Sequence, residues 1–535
     1  MWLRNLLFVG LLSGGVVALG ASLMPPRQPK PVTRYDAAAY QADDFREVVA
    51  RIDASFRQEW AEARLSPAGP APDLAVMRRL ALALVGTVPS LEEIRQFEYL
   101  PPEERLAWWI DHLLQDRRFA DHFAERVARA AVGTEGGPFI FFRRRRLVSW
   151  LGDEIHKARP YDELVRDLIA TRGLWTDKPA TNFVSVTVQN DKDNQPDPVR
   201  LAGRVTRAFL GLRLDCAECH NHPYARWKQT DFQGLAAFFG QTRVGFTGIY
   251  DGQGEFEPED KKTQKKTVVA PRVPFAAELL PEEGSRREQL AAWVTHPKNP
   301  YFARAAVNRV WALLFGRPMI DPVDNLEVEA PAPGAVQVLA DDFAAHGFDL
   351  RRLVRVIACS HPFRLDSAAD HDLTEEDERV WTAFPLTRLR PEQVAGSVTQ
   401  SASITTIDAQ SHIVLRFIRL GDQNDFVQRY GDSGEDEFSG RGGTIPQRLL
   451  MMNGKLQRER VEASPFTATG RIAALAPNDP KAVETAYLCV LTRRPTPEEA
   501  AHFEKALADP NLSRAKRIED LYWALINSTE FSWNH

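Results

Sequence analysis

The sequence predicts a mainly α-helical protein, built as two helical domains with a few short strands or hairpins. Three observations carry that prediction. Apolar residues recur at three- and four-residue steps through most of the 535 residues, helix-start signals precede several of these segments, and runs with strand character are scarce.

The order of elements begins at residues 1–24, where Arg4 is the only early charge and an uncharged run extends from Leu6 to Met24. That run is close to the ~20 residues that span a bilayer, so the segment is expected to be a signal peptide or a membrane anchor. Ala18-Leu19-Gly20 offers small residues where a signal peptidase reads. Pro25, Pro26, Pro29 and Pro31 break any helix and make 25–42 an extended tether. The body of the protein is therefore expected to be exported, to the periplasm or cell envelope, with a single N-terminal anchor if the leader is retained.

Residues 43–243 read as an N-terminal helical domain. Phe45, Val48, Val49, Ile52 and Phe56 share one helical face, as do Leu106, Trp109, Ile110, Leu113 and Leu114, and the pattern continues through 164–169 and 201–212. Pro89 and Ser90 followed by Glu93, and Asp162 two residues after Pro160, mark helix starts. A β-prone run at 183–188 reads as a strand. The polar stretch 251–266 centres a linker over 244–280. Residues 281–535 form a C-terminal helical partner domain, periodic at 290–294, 305–314, 350–357, 483–491 and 518–526, with a helix start at Thr496-Pro497-Glu498-Glu499. Further β-prone runs at 268–270 and 413–418 support small hairpins at most, and 421–443 is a loose Gly- and Asp-rich region. No repeat of fixed period is visible.

Composition is that of an ordinary soluble globular chain, 44% hydrophobic, with a net charge of −5. The whole-molecule field gives no reason to expect nucleic acid as a partner. There is no G-x-S-x-G elbow, H-E-x-x-H helix, Walker loop or G-x-G-x-x-G turn, and the residues assign no reaction.

One stretch names a chemistry. Cys216-Ala217-Glu218-Cys219-His220 has the C-x-x-C-H form of a c-type haem attachment site, in which the two thiols make thioethers to one porphyrin edge and the His binds iron. His222, followed by Pro223 and Tyr224, extends the cluster, so Cys216, Cys219, His220 and His222 also make a four-ligand set for zinc or non-haem iron. A disulfide between Cys216 and Cys219 is the third alternative in an oxidising compartment. Cys359 and Cys489 lie on apolar helical faces and read as inert core thiols.

With this run placed after the helix at 201–212, the N-terminal half resembles the planctomycete cytochrome-type family, a domain otherwise of unknown function. Arg78-Arg79-Leu80, Gly86, Pro89-Ser90, Phe209-Leu210-Gly211-Leu212 and the stretch 227–239 carry that resemblance. The C-terminal half resembles the family's usual uncharacterised partner domain, through Arg286-Arg287, Trp293, Asn299-Pro300, Asn308-Arg309, Trp311, Phe315-Gly316-Arg317, Asp321, Asp324, Arg390, Glu392-Gln393, Asn453 and Asn527. The resemblance implies an exported protein with a cytochrome-like motif and no established reaction. A redox or envelope protein is the expected partner. The alternative is a binding or scaffold protein stabilised by zinc or iron, or a metal-dependent enzyme acting on extracellular polymer.

Secondary candidates are weighed against plain structural roles. His361, Met451 or Met452 are the candidates for the distal haem ligand in the first reading, against core or surface roles. Arg143-Arg144-Arg145-Arg146 suits propionates or an acidic partner, against a solvated helix face, as do the lysines at 261, 262, 265 and 266. Arg304, Asn308 and Arg309 read as structural, with Asp321 and Asp324 as their expected ion-pair partners.

Overall fold

The computed structural model describes residues 2–23, 35–134, 138, 140–188, 194–221, 226–259, 265–326, 333–408, 426–427, 429–431, 438 and 444–535, and, within the first helix, the side chains of 2 and 6–15. Helices dominate. Among the described residues the strands form two antiparallel pairs, Thr242–Gly245 with Gly248–Asp251, and Thr387–Arg388 with Trp533–Asn534.

The helices form where periodicity and caps coincide. Asp43–Ala63 turns Phe45, Val48, Ile52, Phe56 and Trp60 inward. At the start of Leu91–Tyr99, Ser90 Oγ accepts from Glu93 N at 3.1 Å while Glu93 Oε2 accepts from Ser90 N at 2.8 Å, a reciprocal capping box. Thr496 and Glu499 repeat the box ahead of Pro497–Leu507. Among the described residues no helix is long and apolar enough to cross a membrane. The first helix, Trp2–Leu23, leaves Trp2, Leu6, Phe8 and Leu11 exposed.

The run at 183–188, expected as a strand, is instead the short helix Asn182–Ser185 and the turn after it. Every residue from Asn182 to Val188 is buried, so its β-branched composition reports burial on all sides and not a pleat. Asn182 fixes the turn by donating to the carbonyls of Trp175 and Pro179 and accepting from Arg143 N at 2.6 Å. The run at 268–270 makes a single bridge, Val269 N to Phe256 O at 2.9 Å, and no ladder. The run at 413–418 lies outside the described residues, as does most of 421–443. Within 244–280, Ile249, Phe256 and Val273 are buried, Val244 N donates to Gln195 Oε1, and Asp251 accepts from the wholly buried Arg287 at 2.7 Å.

Apolar burial falls into two clusters. The first runs from Phe45 to Phe384 with Leu488, and the second from Leu389 to Phe531 with Leu82 and Val88. Helix Asp73–Val85 belongs to both, and every residue from Val76 to Val85 in it is buried. It carries two buried arginines. Arg78 donates to the carbonyls of Val490 and Phe531, at 3.1 and 3.3 Å. Arg79 donates to the carbonyls of His535, Phe363 and Leu365, at 2.8, 3.2 and 2.7 Å, and lies 3.8 Å over the Phe384 ring. Burial pulls both guanidinium pKa values down, to about 10 and about 9, which leaves them charged at neutral pH.

Candidate functional site: the cysteine turn

The approach to the motif is set by a helix that changes pitch. Asp197 caps Pro198–Val205, accepting from Val199 N and Arg200 N. The helix then widens into a π turn, Thr206–Leu210, and stops at Gly211. That position requires glycine: its φ is 61°, its carbonyl accepts from Leu326 N at 2.8 Å, and a Cβ there would stand 2.8 Å from Leu326 Cγ.

Leu214–Ala217 form one 3₁₀ turn. Residues three apart in such a turn eclipse one another. Leu214 and Ala217 are wholly buried, which anchors one edge, and Cys216, Glu218, Cys219, His220 and Asn221 are exposed. None of the four cysteines is in a disulfide, so Cys216 and Cys219 are not joined in this structure. Burial pushes the other two thiols up, Cys359 to about 12 and Cys489 to about 11, and suppresses their thiolates at neutral pH.

A charged network holds the turn from behind. Arg207 grips Asp215 through two contacts, at 2.6 and 3.0 Å, and reaches Asp324 at 3.5 Å. Arg213 grips the same Asp324 Oδ1 through Nε and Nη2, at 2.9 and 2.7 Å. Burial works against the charge on Arg207, yet the hydrogen bonds and attraction of Asp215 with the charge of Asp324 hold its pKa above the ordinary value. The expectation that Asp324 pairs with Arg304 or Arg309 is thereby corrected in its partners. Arg304 instead donates to Gln337 Oε1, and the wholly buried Asn308 clamps Ile320, donating to its carbonyl at 2.8 Å and accepting from its N–H at 3.0 Å. Asn308 is structural, as expected.

On the front, Gln229 ties the turn together by donating its side chain to Glu218 O at 3.1 Å and its backbone N–H to Asn221 Oδ1 at 3.0 Å. His220 Nδ1 lies 2.7 Å from Asn221 O. A carbonyl only accepts, so Nδ1 carries a proton, and in the neutral ring it is Nε2 that presents the lone pair. This is the tautomer a metal-binding imidazole needs, fixed by a neighbouring backbone group. His222, Pro223 and Tyr224 lie outside the described residues. Among the described residues no group of three or more His, Cys, Asp or Glu is arranged to hold a metal ion.

The remaining candidates sit elsewhere in the fold. His361 packs edge-on against Trp60, and its backbone N–H donates to Asp53 at 2.7 Å. Met451 is buried in the second apolar cluster, while Met452 is exposed. Of the arginine run, Arg144 grips Glu125 in bidentate fashion at 2.7 and 2.9 Å and Arg146 donates to Thr176 O at 2.9 Å. Arg145 and Arg146 face water. Lys261 and Lys262 lie outside the described residues. Sequence reasoning missed Arg207, Arg213, Asp215 and Gln229. The alternation Leu212-Arg213-Leu214-Asp215 was the available signal, since it puts charges between buried residues.

Residues 51–244 match the PSCyt2 family, described as a protein of unknown function (DUF1549), and residues 286–507 match the PSD1 family, described likewise (DUF1553). The first match takes in the cysteine turn. No curated protein and no solved structure matches the chain. The chain thus carries a PSCyt2 domain followed by a PSD1 domain, both of unknown function.

Proposed function

We propose that this protein is an exported, c-type cytochrome-like protein with a redox or electron-transfer role at the cell envelope. In this reading Cys216 and Cys219 tether haem c through thioethers and His220 supplies the proximal nitrogen. The observation that carries it is the outward turn: two exposed thiols three residues apart, neither in a disulfide, followed by an imidazole whose Nε2 is left as the acceptor.

The residues present fit the group. Covalent attachment needs accessible thiols, and both are exposed. Axial ligation needs an unprotonated ring nitrogen, and Asn221 O keeps the proton on Nδ1. Bound there, haem would supply one-electron transfer. The chain's own part is to keep the two sulfurs and the imidazole in register: Leu214 and Ala217 pin the turn to the core, Arg207, Arg213 and Asp324 brace it, and Gln229 closes its far end. The apolar start of the chain supports export, and the partner we propose is a redox or envelope protein.

The test is to produce the full chain in a host with c-type maturation, unfold it, and record its absorption in alkaline pyridine. A porphyrin spectrum that stays with the unfolded polypeptide is the expected result. Stoichiometric zinc or iron without porphyrin would overturn the haem reading and favour the metal-stabilised alternative.

A further inference from the structure

Helices Asp73–Val85, Leu91–Tyr99 and Pro102–Gln115 meet the short helix His361–Arg364 around a cavity of about 360 Å³. Its size lies within the ~300–1,000 Å³ of ordinary small-molecule sites. The floor is apolar. Met77 and Trp109 are wholly buried there, Phe97 and Val76 nearly so, and Trp109 Nε1 already donates to Met77 O at 3.0 Å, so the floor offers no free donor.

The rim has one uncommitted cation. Arg364 lines the cavity and is exposed; its backbone carbonyl accepts from Ala71 N at 2.9 Å, while its guanidinium makes no hydrogen bond or ion pair with any described residue. The carboxylate of Asp73 also lines the cavity, but Arg105 Nη1 holds it at 2.8 Å. Asp53 stands close enough to feel the charge of Arg364 and accepts from His361 N. Burial keeps the His361 imidazole below its ordinary pKa, and therefore neutral at pH 7.

A guanidinium is the side chain that grips a carboxylate with two parallel bonds. Asp73 is already held by Arg105, and Asp53 feels both Arg364 and Arg57, so the rim carries no large excess of positive charge and suits a monoanion better than a dianion. We infer that this cavity binds a small monocarboxylate with an apolar body, the carboxylate on Arg364 and the body against Phe97 and Met77. The site shares no residue with the cysteine turn and does not depend on the haem reading.

3-Phenylpropionate and its uncharged analogue 3-phenylpropanol, titrated into the full chain by calorimetry, test this. Saturable one-site binding of the acid is expected, weakened about tenfold or more in Arg364→Gln, as for loss of a charge-assisted pair. Binding of the alcohol should be the same in both proteins. Arg364 is exposed, so the substitution leaves the core intact, and Arg364→Lys, which keeps the charge without the fork, should fall between the two. No saturable binding of the acid, or equal affinity in wild type and Arg364→Gln, overturns the proposal.

Discussion

Two polar centres of this molecule are built in opposite ways. Arg78 and Arg79 sit within the core on a helix shared by both apolar clusters and donate to carbonyls from the last fifty residues and from 363–365. The cysteine turn sits at the surface, anchored by two small buried contacts and a charged brace, with its reactive atoms facing water. The first centre can only be structural, because nothing reaches it. The second adds little apolar burial of its own and leaves its chemistry accessible. The difference teaches where to seek stability and where to seek function.

That contrast can be broken by substitution, beginning with the largest expected effect. Arg79→Met leaves the carbonyls of Phe363, Leu365 and His535 without their donor in the interior, which should cost roughly 4 kcal/mol in denaturant unfolding. A loss below about 1 kcal/mol would remove the junction's structural role.

Acid should also draw down the stability supplied by the ion-paired glutamates. Burial opposes the charge of Glu530, but the hydrogen bonds and charge of Arg493, with His535, more than offset it and hold the carboxyl down to about 2. Glu93 beside Arg118 and Glu392 beside Arg126 and Arg390 are likewise held well below the usual carboxylate range. A depressed folded-state pKa means stability that is complete above the unfolded value of about 4.3 and drains as pH falls towards 2. Unfolding followed over that window should show this slope, and Glu530→Gln should flatten it.

Asp324→Asn takes the shared carboxylate from Arg207 and Arg213. Because both arginines are partly exposed, the expected loss is only about 1 kcal/mol. Its sharper consequence should be reduced cofactor loading by the matured protein, read as the ratio of haem to protein absorbance. Smallest of all on stability is Cys216→Ser with Cys219→Ser. Two exposed side chains should change unfolding by less than about 0.5 kcal/mol while abolishing attachment.

Helices were legible in the sequence where a one-sided apolar face met a cap, as at Asp43–Ala63 and at the Ser90 box. The residues at 183–188 misled because a segment buried on every side loses its period. Of the site, the spacing of Cys216, Cys219 and His220 was visible, since one local turn positions all three. The brace was not, because Asp324 lies more than a hundred residues from Arg213 and only the fold brings them together. Arg78 and Arg79 could be seen as part of a recurrent motif, but their acceptors lie hundreds of residues away, where no local pattern announces them.

The most direct test of the central claim is the intact mass of the unfolded, matured chain beside that of the Cys216→Ser, Cys219→Ser variant. One covalently attached haem on the native chain, mapped to the peptide containing 216–220 and absent from the variant, is the predicted result. A native chain of unmodified mass, with both thiols open to alkylation, would contradict it.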